Sequence, residues 1–308
     1  MNFSVVKWLP FLMTCGHIMK VNGKYQGMFV TDLDGTLLNE EKRISSQDIE
    51  TLHTLQSNGY ATVIATGRSQ YSFCRLMDSL SLRGEGTPLA IDYVVFSTGA
   101  GVMDYPNETM LEHVSLKEKE VENVIRYLDA NKYDYMIHKS VPDTHHFLYR
   151  QYSIENPDFT RRLNIYSEYA TPLLAGESCT FGEATEILCI VPESDEINTA
   201  TTIQNAFPQY SVILATSPLD GVSSWIEIFA QSVSKSRAIE RLCHHLSISP
   251  QKTCAVGNDY NDEDLLLWAA NGYLVANGPL RLKDLFSVVA SNNSAGVSEA
   301  AHRWLGKV

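Results

Sequence analysis

The sequence lacks three features that would place it in particular classes of protein. No apolar run approaches the roughly 18 to 20 residues that a membrane-spanning helix requires, so we expect no membrane interaction. It has no run of lysine and arginine, and its net charge of -12 argues against a nucleic-acid surface. Its six cysteines show neither a C-x-x-C motif nor zinc-ligand spacing, which favours reduced thiols in a cytoplasmic protein.

The N-terminal segment, residues 1–24, differs from the rest of the chain. An apolar stretch at 8–13, followed by Cys15, faintly resembles a secretion signal or a lipoprotein box, but it is short. We expect residues 1–24 to form a loosely ordered extension. The alternative is a start codon assigned too early, with Met19 or Met28 as the native start.

The remaining sequence alternates between short apolar segments and amphipathic segments. "GMFVTD" and "YATVIATG" are typical of buried strands, and "SSQDIETLHTLQSNG" between them is typical of a helix that starts at a serine cap. The same alternation returns near the end of the chain. Buried strands separated by helices predict an α/β fold, a Rossmann-like doubly wound parallel sheet.

The middle of the chain has a different pattern. A charged amphipathic helix, tyrosine-rich short runs and strand signals favour an α+β unit with one solvated sheet face. Since 308 residues exceed the usual size of one hydrophobic core, two domains are expected. We expect a core formed by residues 25–101 and 223–308, and an inserted domain at residues 102–222.

Polar side chains follow three predicted strands. Asp32 and Asp34 stand one residue apart, and two like charges that close repel unless a cation or a proton lies between them. Thr66 follows the second strand. Ligands of open parallel sheets bind outside the carboxyl ends of the strands, so these groups should meet there. A late strand adds four side chains that carry hard oxygen ligands suited to Mg²⁺: Asn258, Asp259, Asn261 and Asp262.

The Asp-x-Asp spacing also suits phosphoryl transfer. One carboxylate can attack phosphorus to form an aspartyl-phosphate, while its neighbour protonates the leaving oxygen and later activates water. Taken alone, Asp32 and Asp34 would more simply mark a solvated turn, so the downstream motifs decide the interpretation.

Four segments, "DLDGTLL", "ATGR", "VSKSRAI" and "GNDYND", occur in the order and strand context of the haloacid dehalogenase (HAD)-like phosphatases. The long insertion after the third strand resembles the Cof-type subfamily IIB with its C2-type cap. The resemblance covers nearly everything from residue 27 to 308. It implies a Mg²⁺-dependent phosphatase that acts on a small phosphorylated metabolite, a sugar phosphate being the most plausible substrate.

The resemblance also implies roles for individual residues. Asp32 would be the nucleophile, Asp34 the general acid and base, and Lys235 the cation that neutralises both the phosphate and the nucleophile. The phosphoryl group would be bound by Thr66, Gly67, Lys235 and Asn261. The Mg²⁺ ligands would come from Asp32, Asp34, Asn258, Asp259 and Asp262.

Two positions depart from the family pattern. Asn258 stands where relatives usually carry aspartate, which removes one negative charge from the metal site, and Thr98 stands where they often carry asparagine. Asn258 leaves open a non-catalytic protein that binds a phosphorylated metabolite, and a phosphomutase using the same intermediate is the other alternative. We expect Arg161 and Arg162 on a solvated face, although they could meet a substrate phosphate. The two histidine pairs are expected to be structural: His145, His146, His244 and His245.

Overall fold

The computed structural model describes residues 25–83, 88–153, 155–174, 176–192 and 196–306. The expected N-terminal extension, residues 1–24, lies outside these ranges. Within them, no helix is both long and apolar enough to cross a membrane. The strands are β1 (Met28–Thr31), β2 (Ala61–Ala65), β3 (Tyr93–Phe96), β4 (Gly101–Asp104), β5 (Thr109–His113), β6 (Tyr135–Lys139), β7 (Phe147–Arg150), β8 (Ala170–Pro172), β9 (Ala184–Val191), β10 (Tyr210–Thr216), β11 (Ser224–Ala230), β12 (Thr253–Gly257), β13 (Asn271–Val275) and β14 (Ser287–Val289). The helices are α1 (Ser46–Ser57), α2 (Gln70–Ser79), α3 (Glu118–Ala130), α4 (Pro157–Ile165), α5 (Glu196–Ala206), α6 (Lys235–Leu246), α7 (Glu263–Trp268), α8 (Leu280–Lys283) and α9 (Gly296–Leu305).

The first sheet has the strand order β14-β13-β12-β1-β2-β3-β4-β5. The strands from β14 to β3 are parallel, and β4 and β5 add an antiparallel edge. The chain runs outward from β1 to β3 on one side and from β12 to β14 on the other. The sheet is therefore doubly wound, and the predicted Rossmann-like α/β core is confirmed.

Helices cover both faces of this sheet. Phe29 packs with Leu52 of α1 on one face, and the next residue, Val30, packs with Leu242 of α6 on the other. Alternate residues of a strand point to opposite faces, so a strand buried on both faces is apolar at nearly every position. This explains the short continuous apolar segments in the sequence.

Serine caps fix the starts of three helices near the site. Ser45, Ser69 and Ser234 each accept a hydrogen bond from the main-chain N–H three residues later, at 3.0, 3.2 and 3.3 Å. Such a cap typically contributes about 1 kcal/mol. Because Ser234 caps α6, Lys235 is the first residue of that helix.

The second sheet has the order β10-β11-β9-β6-β7-β8 and is mostly antiparallel. One face packs against α3, with Val124 and Ile187 in a common apolar cluster. The other face was expected to be solvated. It is buried instead, since every residue of β9 is buried, and it carries Glu186, Leu188 and Trp225. The predicted inserted α+β unit is thus present, but its second face is covered.

The limits of the two sheets do not coincide with the expected domain boundaries. Strands β4 and β5 lie in the expected insert but belong to the first sheet, whereas β11 lies in the expected core but belongs to the second sheet. Strand pairing depends on long-range register, which local patterns do not reveal. We propose that the inserted unit runs from about residue 114 to residue 230.

Candidate active site

The three polar strand ends meet at one edge of the first sheet. Asp32 follows β1, Thr66 follows β2 and Asn258 follows β12, and these strands are neighbours. They line a cavity of about 480 Å³ whose other wall is the second sheet. Lys235 and Asp262 are fully buried next to Asp32. The residues predicted for the site that line the cavity are Asp32, Asp34, Thr66, Gly67, Asn258, Asp259 and Asn261.

Lys235 connects two strand ends through its ammonium group. Its Nζ donates to Asp32 Oδ1 at 2.7 Å and to Asp262 Oδ1 at 2.6 Å. Burial alone would lower the pKa of Lys235, but the charges of Asp262 and Asp32 raise it above its ordinary value. Burial and the nearby Asp262 raise the pKa of Asp32, while Lys235 opposes that rise. The lysine is therefore a charged group that positions Asp32 at the cavity.

Arg68 holds the second carboxylate of the Asp-x-Asp pair, a contact that the sequence analysis missed. Its Nε and Nη2 donate to the two oxygens of Asp34 at 2.6 and 2.7 Å, and Lys42 Nζ lies 3.5 Å away. Burial would raise the pKa of Asp34, but the hydrogen bonds and charge of Arg68, with Lys42, hold it below its usual value. The arginine of "ATGR" was the available signal, because a bidentate guanidinium commonly partners a carboxylate.

The segment after β2 forms one wall of the cavity. Thr66 Oγ1 accepts a hydrogen bond from the Arg68 N–H at 3.1 Å. A Cβ on Gly67 would lie 3.9 Å from Asn261 Nδ2, so these two residues are neighbours. Ser69 caps α2, and the N-terminus of a helix favours a nearby anion. Phosphate binding by Thr66, Gly67 and Asn261 stays a prediction that this arrangement allows.

Oxygen atoms surround the side-chain amide of Asn258. The amide lies 2.9 Å from the Asp34 carbonyl oxygen, 2.9 Å from Thr36 Oγ1 and 3.1 Å from Asp32 Oδ2, and these acceptors identify its nearer atom as nitrogen. A Cβ on Gly35, whose φ is +79°, would lie 2.7 Å from the same amide, so only glycine fits that turn. The oxygens of Asp32 and Asp34 are ligands that suit Mg²⁺, and rotation of the Asn258 amide would add its oxygen to them.

The other two carboxylates predicted as metal ligands are directed elsewhere. Asp262 Oδ2 accepts from the N–H groups of Asn258 and Asp259 at 2.9 and 3.2 Å, while its Oδ1 is held by Lys235. Asp259 accepts from the N–H and Oγ1 of Thr216 at 2.9 and 3.2 Å, which ties the loop to β10. Across the described residues, no three His, Cys, Asp or Glu side chains are grouped to hold a metal ion.

Two residues of the inserted unit lie at the cavity, contrary to expectation. Arg162 was expected on a solvated face, but its guanidinium lies 4.4 Å from the Trp225 ring centre and lines the cavity, whereas Arg161 is exposed. His145 was expected to be structural and also lines the cavity, stacked on Tyr71 of α2 at 4.3 Å. Local spacing could not reveal either position, because both depend on how the two sheets face each other.

Thr98, a departure from the family pattern, links the two units. Its φ of 55° places it in the left-handed region, where a β-branched residue is rare. Its Oγ1 donates to Glu227 Oε2 on β11 at 2.9 Å. The loop after β3 is therefore joined to the second sheet beside the cavity.

Comparisons with known proteins identify the family of this chain. The sequence pattern of the haloacid dehalogenase-like hydrolases matches residues 29–300. The chain belongs to this family. A protein of Streptococcus pyogenes named as a putative phosphatase is 26% identical over 285 residues, which cover 90% of this chain and 98% of the relative. The HMP-PP phosphatase of Yersinia enterocolitica is 24% identical over 277 residues, covering 89% and 93%.

Solved structures of this family have the same fold. One described as a sugar phosphatase of HAD subclass IIB has a TM-score of 0.68 at 18% identity, covering 92% of this chain and 100% of that one. The predicted class, a Cof-type phosphatase of the HAD-like family with an inserted cap, is confirmed. The inserted unit is called the cap from here on.

Proposed function

We propose that this phosphatase hydrolyses a small phosphorylated metabolite through an aspartyl-phosphate on Asp32, with Mg²⁺ as cofactor. The observation that carries the proposal is the bridge from Lys235 to Asp32 and Asp262 beside the cavity. Burying a lysine with two carboxylates has a desolvation cost, and such strongly perturbed groups beside a cavity are typical of functional sites. A sugar phosphate remains our predicted substrate, and a cytoplasmic location remains a prediction.

The reaction would proceed in two steps. In the first, an Asp32 oxygen attacks phosphorus, the bond from phosphorus to the leaving oxygen breaks, and that oxygen receives a proton from Asp34. In the second, Asp34 takes a proton from water, the water oxygen attacks phosphorus, and the bond to Asp32 breaks. Lys235 keeps Asp32 in place and stabilises negative charge that develops on the phosphoryl group.

Arg68 adds a condition to the first step. While it pairs with Asp34 at 2.6 and 2.7 Å, Asp34 stays ionised and cannot donate a proton. The incoming phosphoryl group offers Arg68 a second anionic partner. We infer that substrate binding draws Arg68 away from Asp34, which lets Asp34 take up the proton needed for the leaving group.

The residues present fit a magnesium ion. The Asp32 carboxylate and the main-chain carbonyl of Asp34 lie 3.1 and 2.9 Å from the Asn258 amide, and they would hold the ion together with the amide oxygen of Asn258 once that amide rotates. Asp259 and Asp262 are left out, since their carboxylates are held by Thr216 and Lys235. When bound, Mg²⁺ would offset the charge of the substrate phosphate.

The test is release of inorganic phosphate from a panel of phosphorylated sugars, nucleotides and acetyl phosphate, before and after chelation. Release that stops on chelation and returns with Mg²⁺ is the expected result. Absence of release from every ester would contradict the proposed function. Transfer of phosphate back to the substrate, without release, would identify the mutase alternative instead.

A further inference from the structure

One face of the cap sheet carries ionisable side chains where apolar ones are usual. His138 on β6 is paired in register with Glu186 on β9, and Leu188 of the same strand is paired with Glu227 on β11. Residues paired or two apart in this way lie on one face of a sheet. All four line the cavity, and the two glutamates are 6% and 5% exposed. The strands thus hold buried carboxylates toward the cavity.

Four polar atoms of the cap at the cavity have no hydrogen-bond partner among the described residues. They are Glu186 Oε2, Thr144 Oγ1, Arg162 Nε and His145 Nδ1, and the side chains of the first three form what we call the cap cluster. Glu186 is 6% exposed and Thr144 is 2% exposed, so bulk water does not satisfy them. Buried polar groups in native proteins are nearly always paired, so these atoms need polar partners that a ligand in the cavity can supply.

The charge of Arg162 in the cap cluster disfavours a cationic ligand, because an ammonium group would face the guanidinium. Burial, with the neighbouring Glu227, raises the pKa of Glu186 to about 8, and burial lowers that of His138 to about 3, so both side chains are largely uncharged near neutral pH. A hydroxyl group both donates and accepts, and is therefore suited to a carboxyl oxygen and a guanidinium N–H at once.

We propose that Thr144, Arg162 and Glu186 form a specificity subsite that binds hydroxyl groups on the polyhydroxylated leaving group of a phosphate ester. The inference rests on the proposed function, because the phosphoryl group is placed at Asp32. The same cavity of about 480 Å³ is lined by Asp32 and by the cap cluster, and cavities of this size hold metabolite-sized ligands. Apolar contact to the C–H faces of the ligand would come from Phe147 and Leu188, which also line the cavity.

The test compares hydroxylated substrates with their deoxy analogues in two variants. Glu186→Gln keeps the shape of the side chain, and Glu122→Gln makes the same change at an exposed position on α3. The kcat/KM is measured with ribose 5-phosphate, glucose 6-phosphate, the 2-deoxy form of each, and acetyl phosphate. A site built to bind a hydroxyl rejects the analogue that lacks it, so the unmodified protein should prefer one hydroxylated ester by roughly tenfold or more. Glu186→Gln should reduce that preference to about threefold or less, while Glu122→Gln keeps it.

A structural role for Glu186 would give another result, an equal fall in kcat/KM for every substrate including acetyl phosphate, and this would overturn the proposal. Hydrolysis of acetyl phosphate with no preference for any hydroxylated ester would also overturn it, while leaving the proposed function intact. If Glu186→Gln does not fold, as judged by circular dichroism, the near-isosteric Thr144→Val takes its place in the same comparison.

If no ester is hydrolysed, the proposed function fails and the subsite is tested by binding alone. Calorimetry then compares glucose 6-phosphate with its 2-deoxy form, and ribose 5-phosphate with its 2-deoxy form, in the unmodified protein and in Glu186→Gln. A preference for a hydroxylated form that is lost in the variant supports the subsite. Equal affinities throughout overturn it.

Discussion

Replacing Lys235 with methionine removes the cation between two buried carboxylates while nearly keeping the length of the side chain. The Lys235 side chain is 0% exposed, and its Nζ lies 2.7 Å from Asp32 Oδ1 and 2.6 Å from Asp262 Oδ1. Removing one partner of a buried ion pair costs roughly 3–5 kcal/mol, because the remaining charge is left without compensation. Since two carboxylates lose their partner here, we expect a loss near the upper end, about 5 kcal/mol at neutral pH.

The loss in Lys235→Met should depend on pH. Without the lysine, burial and the nearby Asp262 raise the folded-state pKa of Asp32 further above that of an unfolded aspartate, about 4. A group with a raised folded-state pKa destabilises the protein least below its unfolded pKa. The loss of stability in Lys235→Met should therefore become smaller as the pH falls from about 7 toward 4. Catalysis should fall about 10²–10³-fold, as expected for one group that stabilises transition-state charge.

The assays are urea unfolding of the metal-free protein and phosphate release by the magnesium-loaded protein. Lys252→Met is the matched control, because Lys252 is an exposed lysine of the α/β unit, and it should change neither the free energy of unfolding nor the rate of phosphate release. A loss of stability below about 1 kcal/mol together with an unchanged kcat would refute the reasoning, because the carboxylates would then not depend on Lys235.

Three further predictions concern the carboxylates around the cavity. Asn258→Asp should lower the Mg²⁺ concentration for half-maximal phosphate release, since it adds an anionic ligand, whereas Asp259→Asn should leave it unchanged because that carboxylate faces the cap; equal effects of the two would contradict the assignment. Arg68→Ala should raise the pKa of Asp34. The limb of the pH profile of kcat/KM that reports Asp34, identified by its absence in Asp34→Asn, should therefore move to higher pH, and a limb that does not move would argue against the pairing of Arg68 with Asp34. Burial raises the pKa of Glu186 from 4.5 to about 8, so its contribution to stability is fully present below pH 4.5 and is lost as the pH rises to about 8. Urea unfolding across this range should show a smaller decline in the free energy of unfolding for Glu186→Gln than for the unmodified protein. An identical decline would show that Glu186 does not titrate there.

The α/β core could be predicted because short stretches of sequence indicate its strands, helices and helix caps. The alternation of buried strands with capped helices gave the doubly wound sheet, and the rule for parallel sheets brought Asp32, Thr66 and Asn258 to one edge. The order of the motifs also pointed to Lys235, whose contact with Asp32 joins residues 203 positions apart.

The remaining features depend on contacts that local patterns do not contain. The direction of Asp259 is set by Thr216 on β10, and the position of Arg162 on α4 is set by Trp225 on β11. Strand pairing likewise placed the sheet boundaries away from residues 101 and 222. The sequence alone favoured a metal ligand at Asp259, a solvated Arg162 and domain boundaries where the sequence pattern changes. Each of these interpretations was wrong or incomplete because the residue's contact partner lies far away in the sequence.

The most direct test of the central claim, that Asp32 carries the phosphoryl group, is chemical trapping of the intermediate. Enzyme quenched in acid during turnover is treated with borohydride, which reduces an aspartyl-phosphate to homoserine, and the peptide spanning residues 29–39 is analysed by mass spectrometry. We predict homoserine at position 32, none without substrate, and no phosphate release by Asp32→Asn. Modification at another residue, or an Asp32→Asn variant with undiminished kcat, would contradict the mechanism.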